Sequence, residues 1–211
     1  MEVINENRIK LIPTAGDSYS AGWKIMWKNF VEFLVVSLIF GVLSLPNIAM
    51  QVPTENWQWL LFPVFMFGLA YGLLVTGPIG YSVNWVYLKG VRAEKIEIQD
   101  MFAVFRKNFW NAVGANVVVG LIVGFGLLML IVPGIIFAVR LAFVPYLVID
   151  REMELTEALS TSWEMTKGYG WHIFFMGFIS FWVVILGLLF FFFGVIISSI
   201  WISAAFASMY Q

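Results

Sequence analysis

The sequence predicts an all-α integral membrane protein with six transmembrane helices, arranged as three hairpins with both termini in the cytoplasm. Of its 211 residues, 61% are hydrophobic and 12% are charged. Soluble domains carry roughly 45–50% apolar and about 25% charged residues. Long apolar runs recur along the chain, and all but one of the Lys and Arg lie in the N-terminal segment or between some of these runs. The first ten residues are polar, so a cleavable signal peptide is not expected.

Six apolar runs are long enough to be spans, because a helix needs about 20 mostly apolar residues to cross a bilayer core. The spans are predicted at about 30–50, 57–76, 111–132, 133–149, 171–193 and 195–210. The second continues to 88 as a bent or interfacial piece, since Gly77 and Pro78 of a TGPIG motif should break or kink the helix. Kinks are also expected at Pro133, Gly134 and Pro145. Residues 1–17 are predicted to be a cytoplasmic tail and 18–211 a single membrane domain.

The distribution of basic residues predicts the orientation. Eleven of the twelve Lys and Arg lie in the N-terminal segment or in the loops 89–109 and 150–170. The opposite loops, near 51–56, 132–134 and 193–196, contain none. Positively charged loops face the cytoplasm, so both termini are expected on that side of the bacterial inner membrane.

Three amphipathic segments precede the first, third and fifth spans and are predicted to be interfacial helices. Their apolar faces are formed by Tyr19, Trp23, Met26, Trp27 and Phe30, by Ile98, Met101, Phe102, Phe105 and Phe109, and by Leu155, Ala158, Leu159, Ser162 and Trp163. The recurring WKNF and RKNF motifs allow two interpretations. They mark a threefold repeat of interfacial helix plus hairpin, or they are the aromatic and basic residues that any span needs where it enters the membrane. The acids of 150–164 form either a solvated face or a surface that docks on the basic segments or on a partner.

A motif in the second half of the chain resembles a known group of proteins. It consists of Pro133-Gly134, an arginine inside the span (Arg140), Pro145, Asp150 and the helix EALSTSWEMTKG at 157–168. Within that helix the matching residues include Ala158, Ser162, Trp163, Lys167 and Gly168. The pattern resembles small bacterial polytopic membrane proteins, among them the membrane domain of glycerophosphoryl diester phosphodiesterases and related families of unknown function. The resemblance implies membrane embedding and proximity to lipid. It implies no hydrolase activity, because that chemistry belongs to a separate soluble domain.

Arg140 is the residue most in need of explanation, because a charge inside a span costs several kcal/mol unless it has a partner or a wet cavity. Glu32 is the only other acid within an apolar run and is its predicted charge partner. Pro145 should free the carbonyl of Leu141 near the guanidinium. Two roles stay open. Arg140 ties helices together, or it binds an anion such as a lipid phosphate, which guanidinium geometry suits.

The composition narrows the function classes. The chain has no Cys and one His, so neither a metal site nor a cofactor is predicted, and there is no basic tract for nucleic acid. We expect a non-enzymatic membrane protein that binds membrane lipids, organises the membrane, or serves as an accessory subunit with a membrane-protein partner or a second copy. The alternative is a small transporter or lipid-moving protein working around Arg140. An enzyme is the least favoured class, because no paired acids or His cluster are visible.

Overall fold

The computed structural model describes residues 14–49, 58–189 and 191–211, which are helical apart from short connections. The α-helices are α1 (Ala15–Lys28), α2 (Phe30–Ala49), α3 (Gln58–Tyr71), α4 (Gly77–Val91), α5 (Ala103–Arg106), α6 (Phe109–Met129), α7 (Ile131–Arg140), α8 (Val144–Asp150), α9 (Leu155–Met165), α10 (Gly170–Leu189) and α11 (Phe191–Tyr210). A π-helix at Gly72–Thr76 joins α3 to α4, and a 3₁₀-helix at Ile98–Phe102 precedes α5.

Six helical stretches in the described residues are long and apolar enough to cross a membrane. They are Phe30–Asn47, Pro63–Val91, Phe109–Met129, Ile131–Asp150, Gly170–Leu189 and Phe193–Tyr210. Many of their large apolar side chains point outward, such as Leu128 at 85% exposure. An outward-facing apolar surface of this extent suits lipid rather than water. The prediction of an all-helical, multi-pass chain is therefore confirmed for this part of the molecule.

The second stretch differs from the prediction, because the helix does not break at the TGPIG motif. The π-helix ends at Thr76, and Gly77 and Pro78 begin α4 directly. A π segment accommodates the hydrogen bond that Pro78 cannot donate. The predicted bent or interfacial piece is thus the helix α4, which packs against α2, α6, α8 and α11. Nine of its fifteen residues are buried, which places α4 at the centre of the bundle.

Gly77 is required by this packing. A Cβ atom at Gly77 would lie 2.2 Å from Nδ2 of Asn116 on α6. On the other side, Nδ2 of Asn47 donates to the Thr76 hydroxyl over 2.8 Å. The motif is therefore a site of close helix contact rather than the end of a span.

The predicted kink at Pro133 and Gly134 lies in the first turns of α7. Leu130 alone is extended between α6 and α7 (φ −162°, ψ 146°), so the chain reverses within a few residues. Pro133 lies in the first turn of α7, where backbone N–H groups have no intrahelical acceptor. Its missing N–H therefore removes no helical hydrogen bond. A Cβ at Gly126 would lie 2.9 Å from the Cα of Gly134. These two glycines let the backbones of α6 and α7 touch.

The first amphipathic helix, α1, packs along α11. Its N-cap is Thr14, whose hydroxyl accepts from the backbone N–H of Asp17 over 3.1 Å. The helix thus starts inside the predicted tail, of which residues 1–13 lie outside the described ranges. A Cβ at Gly22 would lie 2.7 Å from the backbone nitrogen of Ala205. Trp201 Nε1 donates to the carbonyl of Tyr19 over 2.9 Å.

The buried face of α1 overlaps the predicted one only in part. It consists of Ala15, Ser18, Tyr19, Gly22 and Met26. Trp23 and Trp27, which were predicted to lie with Tyr19 and Met26, are 42% and 53% exposed. Small residues and a tyrosine allow α1 to approach α11 closely, and this leaves the indole rings on the flank.

The other two amphipathic segments pack in a similar way. In the second, Met101 and Val104 are buried, while Ile98, Phe102 and Phe105 are exposed. The Val104 N–H donates to the Ser82 hydroxyl of α4 over 2.9 Å. In the third, α9 packs on α8. Each segment therefore packs on a membrane-length stretch that ends at the same end of the bundle: α4, α8 or α11.

Candidate anion site at Arg140

The helix α7 ends at Arg140 because the chain cannot continue its hydrogen-bond ladder. The Val144 N–H donates to the carbonyl of Leu141 over 3.2 Å rather than to that of Arg140. Pro145 follows in the first turn of α8 and has no N–H to donate. The predicted fourth span is therefore two helices joined at 141–143. The carbonyl that loses its helical partner is that of Arg140, not that of Leu141 as predicted.

Two hydroxyls from the segment 157–168, which carries the resemblance motif, bind the Arg140 carbonyl in place of the missing helical N–H. The Ser162 hydroxyl on α9 donates to the Arg140 carbonyl over 2.8 Å, and the Thr166 hydroxyl lies 3.5 Å from the same oxygen. Both side chains are fully buried. The sequence placed Ser162 in the motif but gave it no partner. Its role is to fasten α9 to the end of α7.

Other motif residues have local roles. Ala158 is fully buried on the packed face of α9. Gly168 has φ +86°, a left-handed conformation that favours glycine, in the turn between α9 and α10. Lys167 precedes it and is exposed. The motif therefore forms α9 and the turn that connects it to α10.

The guanidinium of Arg140 lies over an aromatic ring, and it donates no hydrogen bond to any other described residue. Its Cζ lies 5.5 Å from the ring centroid of Trp163. Its Nη1 is enclosed and has no hydrogen-bond partner in the described part of the chain. The predicted pair with Glu32 does not form between these two described residues. Glu32 lies in the first turn of α2, with its side chain exposed.

The end of α7 packs beside the N-terminus of α10. A Cβ built at Gly170, the first residue of α10, would be 4.0 Å from Cγ1 of Val139, the residue before Arg140. In the same first turn of α10, Nδ1 of His172 is also enclosed without a partner among the described residues. The N-terminus of a helix carries a partial positive charge. The helix that ends at Arg140 therefore packs against a helix end that favours negative charge.

Asp150 belongs to a separate cluster that the sequence did not reveal. Both of its carboxylate oxygens accept from Arg92, over 2.5 and 2.8 Å, and the Tyr210 hydroxyl donates to it over 3.2 Å. Hydrogen bonding to Asp150 raises the pKa of Arg92. Arg92 is 58 positions away in the chain, so no local signal connects the two residues.

Two further ion pairs involve the segment 89–109, and one of them joins it to the segment 150–170. Lys107 pairs with Glu152 over 2.9 Å, and Lys89 pairs with Asp100 over 2.9 Å. Both ammonium groups also lie over the ring of Trp85, at 4.7 and 4.4 Å. Two of the acids at 150–164 therefore dock on the basic segment, as one of the two predictions had it, while Glu154, Glu157 and Glu164 are exposed.

The described residues contain no group of three His, Asp or Glu side chains placed to hold a metal ion. Fold and site together describe a multi-pass α-helical protein in which Nη1 of Arg140 has no hydrogen-bond partner among the described residues, at the end of a helix that packs beside the start of α10. The chain matches no protein-family model, no curated protein and no solved structure. The likeness to the phosphodiesterase membrane-domain group stays a prediction from the motif residues.

Proposed function

We propose that this chain is a non-enzymatic protein of the bacterial cytoplasmic membrane that binds the phosphate of an anionic lipid headgroup at Arg140. Its six spans form three hairpins, with both termini in the cytoplasm. The observation that carries the proposal is the enclosed Nη1 of Arg140, a charged donor without a partner among the described residues. Leaving a buried donor unpaired costs about 1–3 kcal/mol, and more for a charged group.

The alternative role of Arg140, tying helices together, depends on its backbone carbonyl and not on its side chain. The Ser162 hydroxyl holds α9 to α7 through the carbonyl of Arg140, a group that any amino acid supplies. Among the described residues the side chain finds no hydrogen-bond or ion-pair partner that would account for an arginine. A phosphate would accept two parallel N–H bonds from the guanidinium, which explains the residue type.

The surroundings favour a headgroup over a soluble anion. Trp163, whose ring the Arg140 guanidinium faces, is 37% exposed, and Trp171 in the first turn of α10 is 73% exposed. Exposed tryptophans at the ends of spans lie at headgroup level. The positive charge of the loops favours the inner leaflet for this end of the bundle, where anionic lipids attract positive charge. The ligand is therefore drawn from the cytoplasmic leaflet.

Native mass spectrometry of the protein in nanodiscs containing phosphatidylglycerol tests this proposal. Wild type should retain a bound lipid. Arg140→Leu should bind it at least about tenfold more weakly, since a charge-assisted hydrogen bond contributes about 1.5–3 kcal/mol. Arg106→Leu is the matched control, because it removes the same charge from an exposed position on α5. Equal retention by wild type and a folded Arg140→Leu would refute the lipid site.

A further inference from the structure

A second feature lies in the middle of the bundle, away from Arg140. A cavity of about 560 Å³ is enclosed by α2, α4 and α11, with Pro145 at one side. Its lining includes the hydroxyls of four serines and the carboxamide of Asn84 (Ser37, Ser44, Ser199 and Ser203). The residues that line it include no Asp, Glu, Lys, Arg or His. It is an uncharged and mostly apolar space into which a few polar side chains are set.

The cavity owes its shape to glycines. Gly77 and Gly80 on α4 and Gly41 on α2 line it and contribute no side chain. Gly41 and Ser199 are exposed on the outside of the bundle, so the cavity opens between α2 and α11. Both helices are membrane-length stretches, and exposed Leu38, Val42 and Leu45 surround the opening on α2. The mouth therefore faces lipid rather than water.

Polar groups in the cavity have hydrogen-bonding capacity left over. The Ser44 and Ser199 hydroxyls donate to carbonyls of their own helices, each over 2.8 Å. Each oxygen therefore keeps lone pairs that can accept. The hydrogen bonds among the described residues include none from the Asn84 carboxamide, which has two donor hydrogens and an acceptor oxygen. Unpaired polar groups in an apolar layer are costly, which favours an occupant that pairs with them.

We propose that this cavity binds an uncharged lipid with a hydroxylated headgroup, such as a diacylglycerol. A phosphate would find no positive side chain there, whereas a glycerol hydroxyl can donate to the serine oxygens and pair with Asn84. The mouth admits an amphiphile directly from the bilayer, with its acyl chains left outside. The volume falls within the roughly 300–1,000 Å³ of ordinary ligand pockets. This site is independent of the phosphate site at Arg140.

Photolabelling tests the assignment. The protein in phosphatidylcholine nanodiscs is labelled with a diazirine-bearing diacylglycerol, and the labelled peptides are located by mass spectrometry. Gly41→Phe should fill the mouth and reduce labelling of α2, α4 and α11. Gly120→Phe is the matched control, because it too is an exposed helical glycine whose Cβ would meet nothing within 4 Å. If Gly41→Phe fails to fold, Ser199→Leu closes the same mouth.

The polar lining and the source of the ligand are tested separately. Asn84→Leu should weaken labelling about tenfold, the effect of one lost hydrogen bond of roughly 1.4 kcal/mol. Unlabelled dioleoylglycerol should compete, and Arg140→Leu should leave labelling unchanged. The proposal fails if Gly41→Phe labels like wild type, or if Asn84→Leu has no effect. Competition by phosphatidylglycerol or by free glycerol at equal concentration would also overturn it.

Discussion

Arg92 and Arg140 both stand at the C-terminal end of a helix, α4 and α7 respectively, and their side chains have opposite surroundings. Arg92 follows α4 and gives both of its terminal nitrogens to Asp150. Arg140 ends α7, stacks on Trp163 and keeps an enclosed nitrogen without a partner in the described residues. In the sequence Arg92 is one of eleven Lys and Arg residues outside the predicted spans, whereas Arg140 is the one inside a span. The arginine that looks ordinary in the sequence is paired in the fold, and Arg140, the exceptional one, is the residue at which we propose that a ligand binds.

Breaking the Arg92 pair should have the largest effect on stability. Asp150 is 6% exposed and Arg92 is 29% exposed, so Asp150→Asn leaves a mostly buried guanidinium without its counter-ion. We expect the free energy of unfolding to fall by about 2–3 kcal/mol, below the 3–5 kcal/mol of a fully buried pair because Arg92 keeps some solvent. Unfolding in mixed micelles by added dodecyl sulfate measures this loss.

Glu152→Gln is the control for that variant. Glu152 is 55% exposed and pairs with Lys107, which is 33% exposed. Exposed pairs contribute up to about 1 kcal/mol, so this variant should unfold close to wild type. If both variants lose the same stability, burial does not distinguish the two ion pairs.

Removing the Ser162 hydroxyl should have an intermediate effect. Ser162→Ala leaves the Arg140 carbonyl without its shortest hydrogen bond, at a cost of about 1–3 kcal/mol. Ser160→Ala is the control on the same helix, because its exposed hydroxyl bonds only to the carbonyl of Glu157. The same unfolding assay compares them. A Ser160→Ala loss as large as that of Ser162→Ala would mean that the contact to α7 contributes nothing.

Replacing the side chain of Arg140 should have the smallest effect on stability. Arg140→Leu keeps the carbonyl that Ser162 binds, loses a cation–π contact of about 0.5–1 kcal/mol, and removes the enclosed donor that has no partner among the described residues, so without lipid the net loss should stay below about 1 kcal/mol. Arg92→Leu, measured alongside, should lose more, because it strands Asp150. An Arg140 variant less stable than the Arg92 variant would reverse the comparison and make Arg140 a structural residue.

The sequence predicted the helical class and the six spans because apolar run length is a local property. It also located Arg140, because a charge inside such a run is visible by itself. It did not predict that α4 lies at the centre of the bundle, since Gly77 and Pro78 predict a break unless the neighbouring Asn116 and Asn47 are known. The Arg92–Asp150 pair and the Ser162–Arg140 bond join residues 58 and 22 positions apart. Contacts of that range leave no pattern in a single chain.

The packing of α1 on α11 has a consequence for biosynthesis. Tyr19 and Trp201 are 182 positions apart, so the first helix is made long before its partner exists. At about 5–20 residues per second, α1 waits on the order of ten to forty seconds with its small-residue face uncovered. Aromatic side chains on its flank give it a resting place at the bilayer surface in that interval. The packing of α1 is thus completed only when α11, made much later, reaches it.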